Sequence, residues 1–194
     1  MIIGGADDDE ILIKTESSLP NTVIETGDGD DEITLDKLMP ILGNYEGGRA
    51  TVTLDGQGGS DHYIIYLAGN SNYLIIINDS GNGENDCDVL TINATANNDQ
   101  ILIRQNFIAL INYGVDRDND GYDDVERINY NILAVFDDTA QTWLGCTLEK
   151  VIINTLAGDD HVLVDDTGTE FTINGGEGND IFQRLARSLT RRGM

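Results

Sequence analysis

The chain has 194 residues, and its 35 acidic and 11 basic side chains give a formal net charge of −24. Such a surface repels the phosphates of nucleic acids and the anionic face of a membrane, which excludes both as partners. No apolar run approaches the ~20 residues of a membrane helix, so we expect no membrane insertion. Hydrophobic residues make up 40% of the chain, so the charge does not indicate disorder. A compact chain of this charge repels itself, and we expect a multivalent cation to offset the repulsion.

A turn rich in Gly and Asp, followed by a strand of alternating apolar residues, recurs along the chain. The seven copies span residues 4–13, 26–35, 56–65, 83–92, 95–103, 155–164 and 175–182, and they carry their last Asp at Asp9, Asp31, Asp61, Asp88, Asp99, Asp160 and Asp180. Short apolar strands, such as 22–24 and 151–153, precede the turns. One period is therefore strand, turn, strand and return loop, which predicts an all-β parallel β-solenoid of the β-roll or β-helix kind.

The step from Asp99 to Asp160 is too long for one period, so something interrupts the repeat. We divide the chain into solenoid repeats at 1–103, an insert of β-hairpin type at 104–150, further repeats at 151–183 and a basic tail at 184–194. The tail holds four of the eleven basic residues of the chain, and we expect either a short cap helix or a non-native end there.

The residue types of the turn suit calcium. Glycine permits positive φ and a close approach of the backbone, which directs main-chain carbonyls inward, and Asp adds a hard anionic oxygen. Calcium takes six to eight oxygen ligands, more than one turn offers, so we expect two stacked turns to share each ion. The apolar residue two positions after each Asp shares its face and should line the interior. The candidate ligands in the repeats are Asp7, Asp9, Asp31, Asp61, Asp160 and Asp180.

The insert contains a second acidic motif. Residues 116–121 read Asp-Arg-Asp-Asn-Asp-Gly, the opening of an EF-hand-like calcium loop in which carboxylates at alternate positions converge on one ion. Position twelve is Arg127 where an EF-hand has Glu, and the flanking segments 108–111 and 127–130 have the pattern of strands. We therefore expect a calcium-stabilised hairpin or loop, against the alternative of a solvated acidic turn. The candidate ligands here are Asp116, Asp118, Asp120 and Asp124.

The copy at 175–182 matches Gly-Gly-x-Gly-x-Asp-x-apolar at every fixed position. This pattern resembles the haemolysin-type calcium-binding repeats, also called RTX repeats, and the resemblance covers most of residues 1–183. Segments 123–130, 154–160 and 165–167 are also similar to modules of very large secreted bacterial calcium-binding proteins. In that family stacked turns bind calcium, and the chain without calcium is often poorly folded. The turns with Gln57 and Leu156 in place of glycine depart from the pattern and suggest a looser β-helix in which only some turns bind metal.

The resemblance implies a calcium-binding structural module of a secreted or cell-surface bacterial protein, in contact with neighbouring repeats of a longer parent chain. Two other functions stay open. A calcium-indifferent β-helix would serve as an adhesin or surface-binding module that contacts a cell surface or a polysaccharide. A polysaccharide-active β-helix enzyme would pair carboxylates with basic side chains in a groove, but the basic residues of the body are few and scattered. We therefore expect no enzyme and predict no catalytic residue.

Overall fold

The computed structural model describes residues 1–14, 19–38, 50–81, 86–116, 123–130, 136–137, 142–143 and 148–185. All regular elements in these ranges are β-strands, and no helix is present that could cross a membrane. The seventeen strands are β1 Ile2–Gly5, β2 Glu10–Ile13, β3 Thr22–Asp28, β4 Glu32–Asp36, β5 Thr51–Gly58, β6 His62–Tyr66, β7 Leu74–Ile77, β8 Val89–Asn93, β9 Gln100–Arg104, β10 Phe107–Asn112, β11 Asp124–Tyr130, β12 Phe136–Asp137, β13 Thr142–Trp143, β14 Lys150–Asn154, β15 His161–Val164, β16 Glu170–Asn174 and β17 Ile181–Arg184.

Fifteen of these strands form two sheets, and β12 pairs with β13 alone. Sheet I has nine strands in the order β1-β3-β5-β7-β11-β10-β9-β15-β17, and sheet II has six in the order β16-β14-β8-β6-β4-β2. All neighbours in sheet II are parallel. From β1 to β8 the odd-numbered strands lie in sheet I and the even-numbered ones in sheet II, so the chain passes from one sheet to the other after every strand. The prediction of an all-β fold is confirmed.

The alternation of apolar residues explains the core. Successive side chains of a strand point to opposite faces, so one face of each strand can be buried while the other meets solvent. The buried faces of both sheets belong to one hydrophobic cluster. The predicted interior positions after the turn Asp are at most 1% exposed at Ile33, Tyr63, Leu90, Ile101 and Val162. Phe182 is 51% exposed, because β17 ends its sheet and has a neighbour on one side only.

Two strands of the predicted insert, β10 and β11, belong to sheet I, while β12 and β13 pair only with each other. β10 is antiparallel to both β9 and β11, and β11 continues the sheet in parallel with β7. Residues 113–123, where the acidic loop of the sequence lies, connect β10 to β11. β10 and β11 lie between β7 and β9 in sheet I, and they have no counterparts in sheet II.

Two turns adopt a strained backbone where the repeat has lost its glycine. Gln57 and Leu156 both have φ of 72°, while the aligned Gly27 and Gly176 reach positive φ at no steric cost. A non-glycine residue in the left-handed region costs about 1 to 2 kcal/mol. Leu156 is 41% exposed, so its side chain contributes little burial in return.

We therefore expect Leu156→Gly to raise the free energy of unfolding by up to about 1 kcal/mol, because strain is relieved at the expense of some chain entropy. Urea denaturation measures this change. Leu12→Gly is the matched control, since Leu12 is 44% exposed in a regular strand and has no positive φ to relieve. That variant should lose about 1 kcal/mol. If Leu156→Gly and Leu12→Gly lower the free energy of unfolding equally, the backbone at Leu156 is not strained.

Candidate metal centre

The turns that end in Asp stack on one another in two series. In the first series the chain passes from sheet I to sheet II, and in the second it passes from sheet II to sheet I. The direction of this passage changes at β8, because one Asp turn precedes this strand and another follows it. The two series therefore lie at opposite edges of the pair of sheets. The first contains Asp9, Asp31, Asp61 and Asp88, and the second contains Asp99, Asp160 and Asp180.

The aspartates of each series are joined by hydrogen bonds that we call the carboxylate ladders. The backbone N–H of every Asp except the last of each series donates to Oδ1 of the Asp in the adjacent turn, so the carboxylate of one turn satisfies a donor of its neighbour. The N···O distances are 2.7 Å from Asp9 to Asp31, 2.9 Å from Asp31 to Asp61, 2.8 Å from Asp61 to Asp88, 2.8 Å from Asp99 to Asp160 and 3.1 Å from Asp160 to Asp180. The first ladder ends on Glu149, whose Oε2 accepts from the N–H of Asp88 at 2.7 Å.

The second carboxylate oxygen is unpaired at three ladder positions. Oδ2 of Asp31, Asp61 and Asp160 is buried and has no hydrogen-bond partner. The three residues themselves are only 1–2% exposed. A buried charge without a partner costs several kcal/mol. The two ion pairs found in the described ranges, His62 with Glu32 and Arg104 with Asp165, do not involve these three aspartates.

Buried acid groups outnumber buried cations throughout the described part of the chain. Nine carboxyl groups are buried, and no Lys, Arg or His side chain is buried with them. The nine are Asp31, Asp55, Asp61, Asp79, Asp88, Asp99, Asp124, Glu126 and Asp160. Some of these groups are neutralised by protons or held by donors of the protein, but the excess as a whole favours a bound cation.

Glu126 shows how a buried carboxylate is held without a cation. Its Oε2 accepts from the N–H of Ala68 at 2.9 Å, and its Oε1 accepts from the N–H of Ser71 at 3.2 Å and from Nδ2 of Asn112 at 3.4 Å. Burial still raises the pKa of the Glu126 carboxyl above its ordinary value, but both oxygens are paired. We interpret Glu126 as a structural anchor between β11 and the chain before β7.

In the first and third turns of the first series, the opening glycine packs against the carboxylate that closes the turn. A Cβ added to Gly4 would lie 2.5 Å from Oδ2 of Asp9, and one added to Gly56 would lie 2.0 Å from Oδ2 of Asp61. Thr26 stands between these glycines, and its hydroxyl donates to the carbonyl oxygen of Gly56 at 3.1 Å. At Gly4 and Gly56 a larger residue is excluded because the carboxylate fills the space where a side chain would begin.

Asp79 occupies the opening position of the fourth turn. It follows Ile77 by two residues as Gly56 follows Leu54, and Ile77 and Leu54 are paired between β7 and β5. The carboxylate oxygens that Asp79, Asp61 and Asp88 offer all lie within 4.8 Å of one another, and the three residues are 3%, 1% and 3% exposed. We call this group the aspartate triad.

The triad is held by uncharged donors. The Tyr63 hydroxyl donates to Oδ2 of Asp79 at 3.0 Å and itself accepts from the N–H of Gly56 at 2.7 Å. Oδ1 of Asp79 accepts from the N–H of Gly81 at 3.0 Å. These bonds fix the direction of the Asp79 carboxylate while they leave its charge unopposed.

Burial sets the protonation of the triad. It raises the pKa of Asp61 to about 7, although the hydrogen bond from the N–H of Asp31 acts in the opposite direction. Burial also raises the pKa of Asp79, with the charge of Asp88 adding to it, and raises that of Asp88 next to Glu149. Three like-charged groups this close do not all ionise unless a counter-charge joins them. The triad therefore takes up either protons or a cation.

This protonation predicts a pH dependence for the metal-free protein. Below a pH of 3.8, the ordinary pKa of Asp, Asp61 is protonated in both the folded and the unfolded protein. Between that pH and about pH 7 it stays protonated in the folded protein only. Stability is therefore lost as the pH rises from about 4 through 7, by an amount on the order of a few kcal/mol. Urea denaturation at pH 5 and pH 8 after removal of metals measures it. Asp61→Asn should flatten the slope, and an equal slope in this variant would assign the effect to general charge repulsion instead.

The predicted ligands are distributed unevenly over these features. Asp61 belongs to the triad and to a ladder. Asp7 is exposed and is not part of a ladder, Asp116 is exposed, and Asp124 is buried at the start of β11. The predictions for Asp118 and Asp120 lie outside the described residues. The ladder residues among the predicted ligands are Asp9, Asp31, Asp160 and Asp180.

Sequence reasoning missed Asp79 as a site residue and did not select Asp88. Asp88 closes a copy of the repeat that has lost glycines, so the pattern gave only weak evidence that Asp88 is a ligand. Asp79 lies outside the repeat pattern, and its only signal is its place two residues after the apolar run 74–77. Its alignment with Gly56 depends on the pairing of β5 with β7, which the sequence does not state.

The triad offers only oxygen donors, without thiol or imidazole, and such a set suits hard divalent cations such as Ca²⁺ or Mg²⁺. Two ligands on opposite sides of one Ca²⁺ lie about 4.6 to 5.2 Å apart, so the spread of the triad oxygens is compatible with a shared ion. No protein-family model, curated protein or solved structure matches this chain. The chemistry of the site therefore has to be deduced from the residues of the chain itself.

Proposed function

We propose that this chain is a calcium-binding structural repeat module of an exported bacterial protein. Calcium held between stacked turns stabilises its fold. The observation that carries the proposal is the burial of nine carboxyl groups in the described residues without a buried basic side chain. A divalent cation neutralises two such charges at once and replaces the water that they lose on burial.

The ladders provide places for the ion. Asp31, Asp61 and Asp160 each use Oδ1 to accept from the neighbouring turn, while their Oδ2 has no protein donor. Parallel strands lie about 4.8 Å apart, so carboxylates and turn carbonyls of adjacent rungs are within reach of one ion. The donors are all hard oxygens, which suits calcium.

The strand order supports a solenoid of the RTX kind. Each rung adds one strand to sheet I and one to sheet II in parallel register, as for Ile33 opposite Tyr63 in sheet II and Ile24 opposite Leu54 in sheet I. The end strands β1, β2, β16 and β17 have one neighbour each, and Ile3 and Phe182 are exposed there. These edges fit neighbouring repeats of a longer parent chain, in keeping with the partner predicted from the sequence.

The proposed calcium binding also suggests in which compartment the module is folded. Calcium modules of extracellular proteins bind in the range of about 10⁻⁴ to 10⁻³ M, which extracellular calcium saturates and cytosolic calcium does not. A chain with a charge of −24 repels itself when compact, so the folded module is less stable at low calcium and gains stability when the ion is supplied. We therefore place the folded module outside the cell or at its surface.

One observation favours a second candidate, the calcium-indifferent surface-binding β-helix. The ladder bonds from N–H to Oδ1 connect adjacent turns without any metal, for example from Asp31 to Asp61 at 2.9 Å. If protons neutralise the remaining oxygens, these bonds alone hold the turns in register.

The experiment that separates the two candidates is a calcium titration of metal-free protein, followed by calorimetry and by far-ultraviolet circular dichroism. The calcium-binding module gives saturable heat and a gain of β-structure or of thermal stability. A titration with no heat and an unchanged spectrum would exclude calcium as the stabilising ligand and leave the second candidate.

A further inference from the structure

We propose that Asp61, Asp79 and Asp88 form a separate divalent-cation site, tighter than the sites between ordinary turns, for which Asp79 supplies a ligand that the repeat does not contain. The inference rests on the proposed calcium chemistry of the turns, but it assigns a residue outside the repeat pattern. It also predicts that one site binds the cation more tightly than the others, instead of a series of sites of equal affinity.

The fourth turn has a carboxylate at its opening position, where the other turns of the first series have Gly4, Thr26 and Gly56. Five positions separate Gly56 from Asp61, whereas nine separate Asp79 from Asp88. At Gly56 a Cβ would lie 2.0 Å from Oδ2 of the closing Asp, so a residue larger than glycine is excluded there. The fourth turn combines this longer spacing with a carboxylate at the opening position.

The free oxygen of Asp61 faces this carboxylate. Oδ1 of Asp61 is occupied by the N–H of Asp31, and Oδ2 is buried without a partner in a residue that is 1% exposed. The point where a Gly56 Cβ would stand lies 2.0 Å from this Oδ2 and 2.6 Å from the Tyr63 hydroxyl oxygen. That hydroxyl in turn donates to Asp79, so the unpaired oxygen of Asp61 points into the triad.

Three converging carboxylates distinguish this site from the rest of the ladders. In the described residues no other group of three acidic, Cys or His side chains brings its ligand atoms this close. Each additional anionic ligand strengthens calcium binding, and a buried site loses less of this attraction to solvent screening. Tyr63 fixes the orientation of the Asp79 carboxylate and provides an aromatic ring next to the ion.

The test uses the whole chain, stripped of metals, and Tb³⁺ as a luminescent substitute for calcium. Excitation of tyrosine should produce Tb³⁺ emission that saturates at the first equivalent, with at least tenfold tighter binding than for later equivalents. Tyr63→Phe should remove more than half of this emission while calorimetry still detects the tight site. Calcium added in excess should reverse the emission.

Asp79→Asn should abolish the tight site, and Asp160→Asn is the matched control. Like the triad residue Asp61, Asp160 is 1% exposed, accepts a ladder bond at Oδ1 and has an unpaired Oδ2, but it lies in the ladder at the opposite edge. Asp79→Thr, which installs the residue type of Thr26 at this position, serves as a second variant if Asp79→Asn fails to fold. Circular dichroism in calcium verifies the fold of each variant.

The outcomes separate this inference from the proposed function. Tight binding that survives in Asp79→Asn and Asp79→Thr overturns the triad, and loss of binding in Asp160→Asn would then still support the turn sites. Binding that Asp79→Asn removes completely and Asp160→Asn leaves unchanged supports the triad and overturns calcium binding by the other ladder. Failure of wild-type protein to bind Tb³⁺ or calcium overturns both.

Discussion

We expect the melting temperature of this protein to fall by about 10 to 20 °C when calcium is removed. A site with a Kd of about 10⁻⁴ M contributes about 2.7 kcal/mol at 10 mM calcium, because ligand binds the folded state alone. Two such sites contribute about twice that amount, and each kcal/mol shifts the melting temperature of a domain of 150–250 residues by about 2 to 4 °C. Under the proposed function, the buried, unpaired oxygens of Asp31, Asp61 and Asp160 gain a partner when calcium binds.

Differential scanning calorimetry in 10 mM calcium chloride and in excess chelator measures this difference. Sodium chloride at equal ionic strength is the control, since monovalent salt screens the net charge of −24 without occupying an oxygen cage. Magnesium at the same concentration tests the choice of ion, because it keeps several of its waters and prefers a strict octahedral geometry. An equal gain with sodium chloride would show that screening, and not a bound ion, stabilises the fold.

The effect of Asp61→Asn on stability should change sign between calcium and chelator. In calcium the variant loses a ligand, and we expect a loss of about 2 to 3 kcal/mol. In chelator the amide removes a buried charge that costs energy and retains an oxygen to accept the N–H of Asp31. We expect a gain of about 1 kcal/mol there, because its amide group donates to the neighbouring carboxylates of the triad.

Chemical denaturation of both proteins in the two buffers measures this crossover. Asp61→Ala is the companion variant, since it removes the charge together with the acceptor and leaves the buried N–H of Asp31 without a partner. It should lose about 1 to 3 kcal/mol in either buffer. If Asp61→Asn is destabilised equally with and without calcium, Asp61 is a structural residue of the ladder and not a ligand.

The local pattern of the sequence predicted much of the fold. Alternation with a period of two predicted the strands and their buried faces, so that Ile33, Tyr63 and Leu90 were placed in the interior before any pairing was known. The stacked turns are the copies of the repeat, although successive aspartates of the first ladder are 22, 30 and 27 residues apart. These properties depend on neighbouring residues and on the period, both of which can be counted along the chain.

The chemistry of the ladder aspartates was predicted less completely. Carboxylates in Gly-rich turns pointed to cation binding, and that remains the proposed function. The sequence did not show that Oδ1 of five of the seven aspartates accepts a backbone N–H of the adjacent turn, as Asp160 does from Asp99 at 2.8 Å. Such a bond joins residues 61 positions apart, so only the stacked turns reveal that one oxygen of each carboxylate is already used.

The sequence by itself determined the strand-and-turn unit, the excess of negative charge and the aspartates that close the turns. Tertiary structure alone decided that the Asp turns change edge at β8, that β10 and β11 enter sheet I, and that Asp79 joins Asp61 and Asp88. The physical reason is that side-chain periodicity is local, whereas register and stacking depend on hydrogen bonds between strands that are distant in the chain. Asp79 acquires its place from the pairing of β5 with β7, and no count along the sequence supplies that contact.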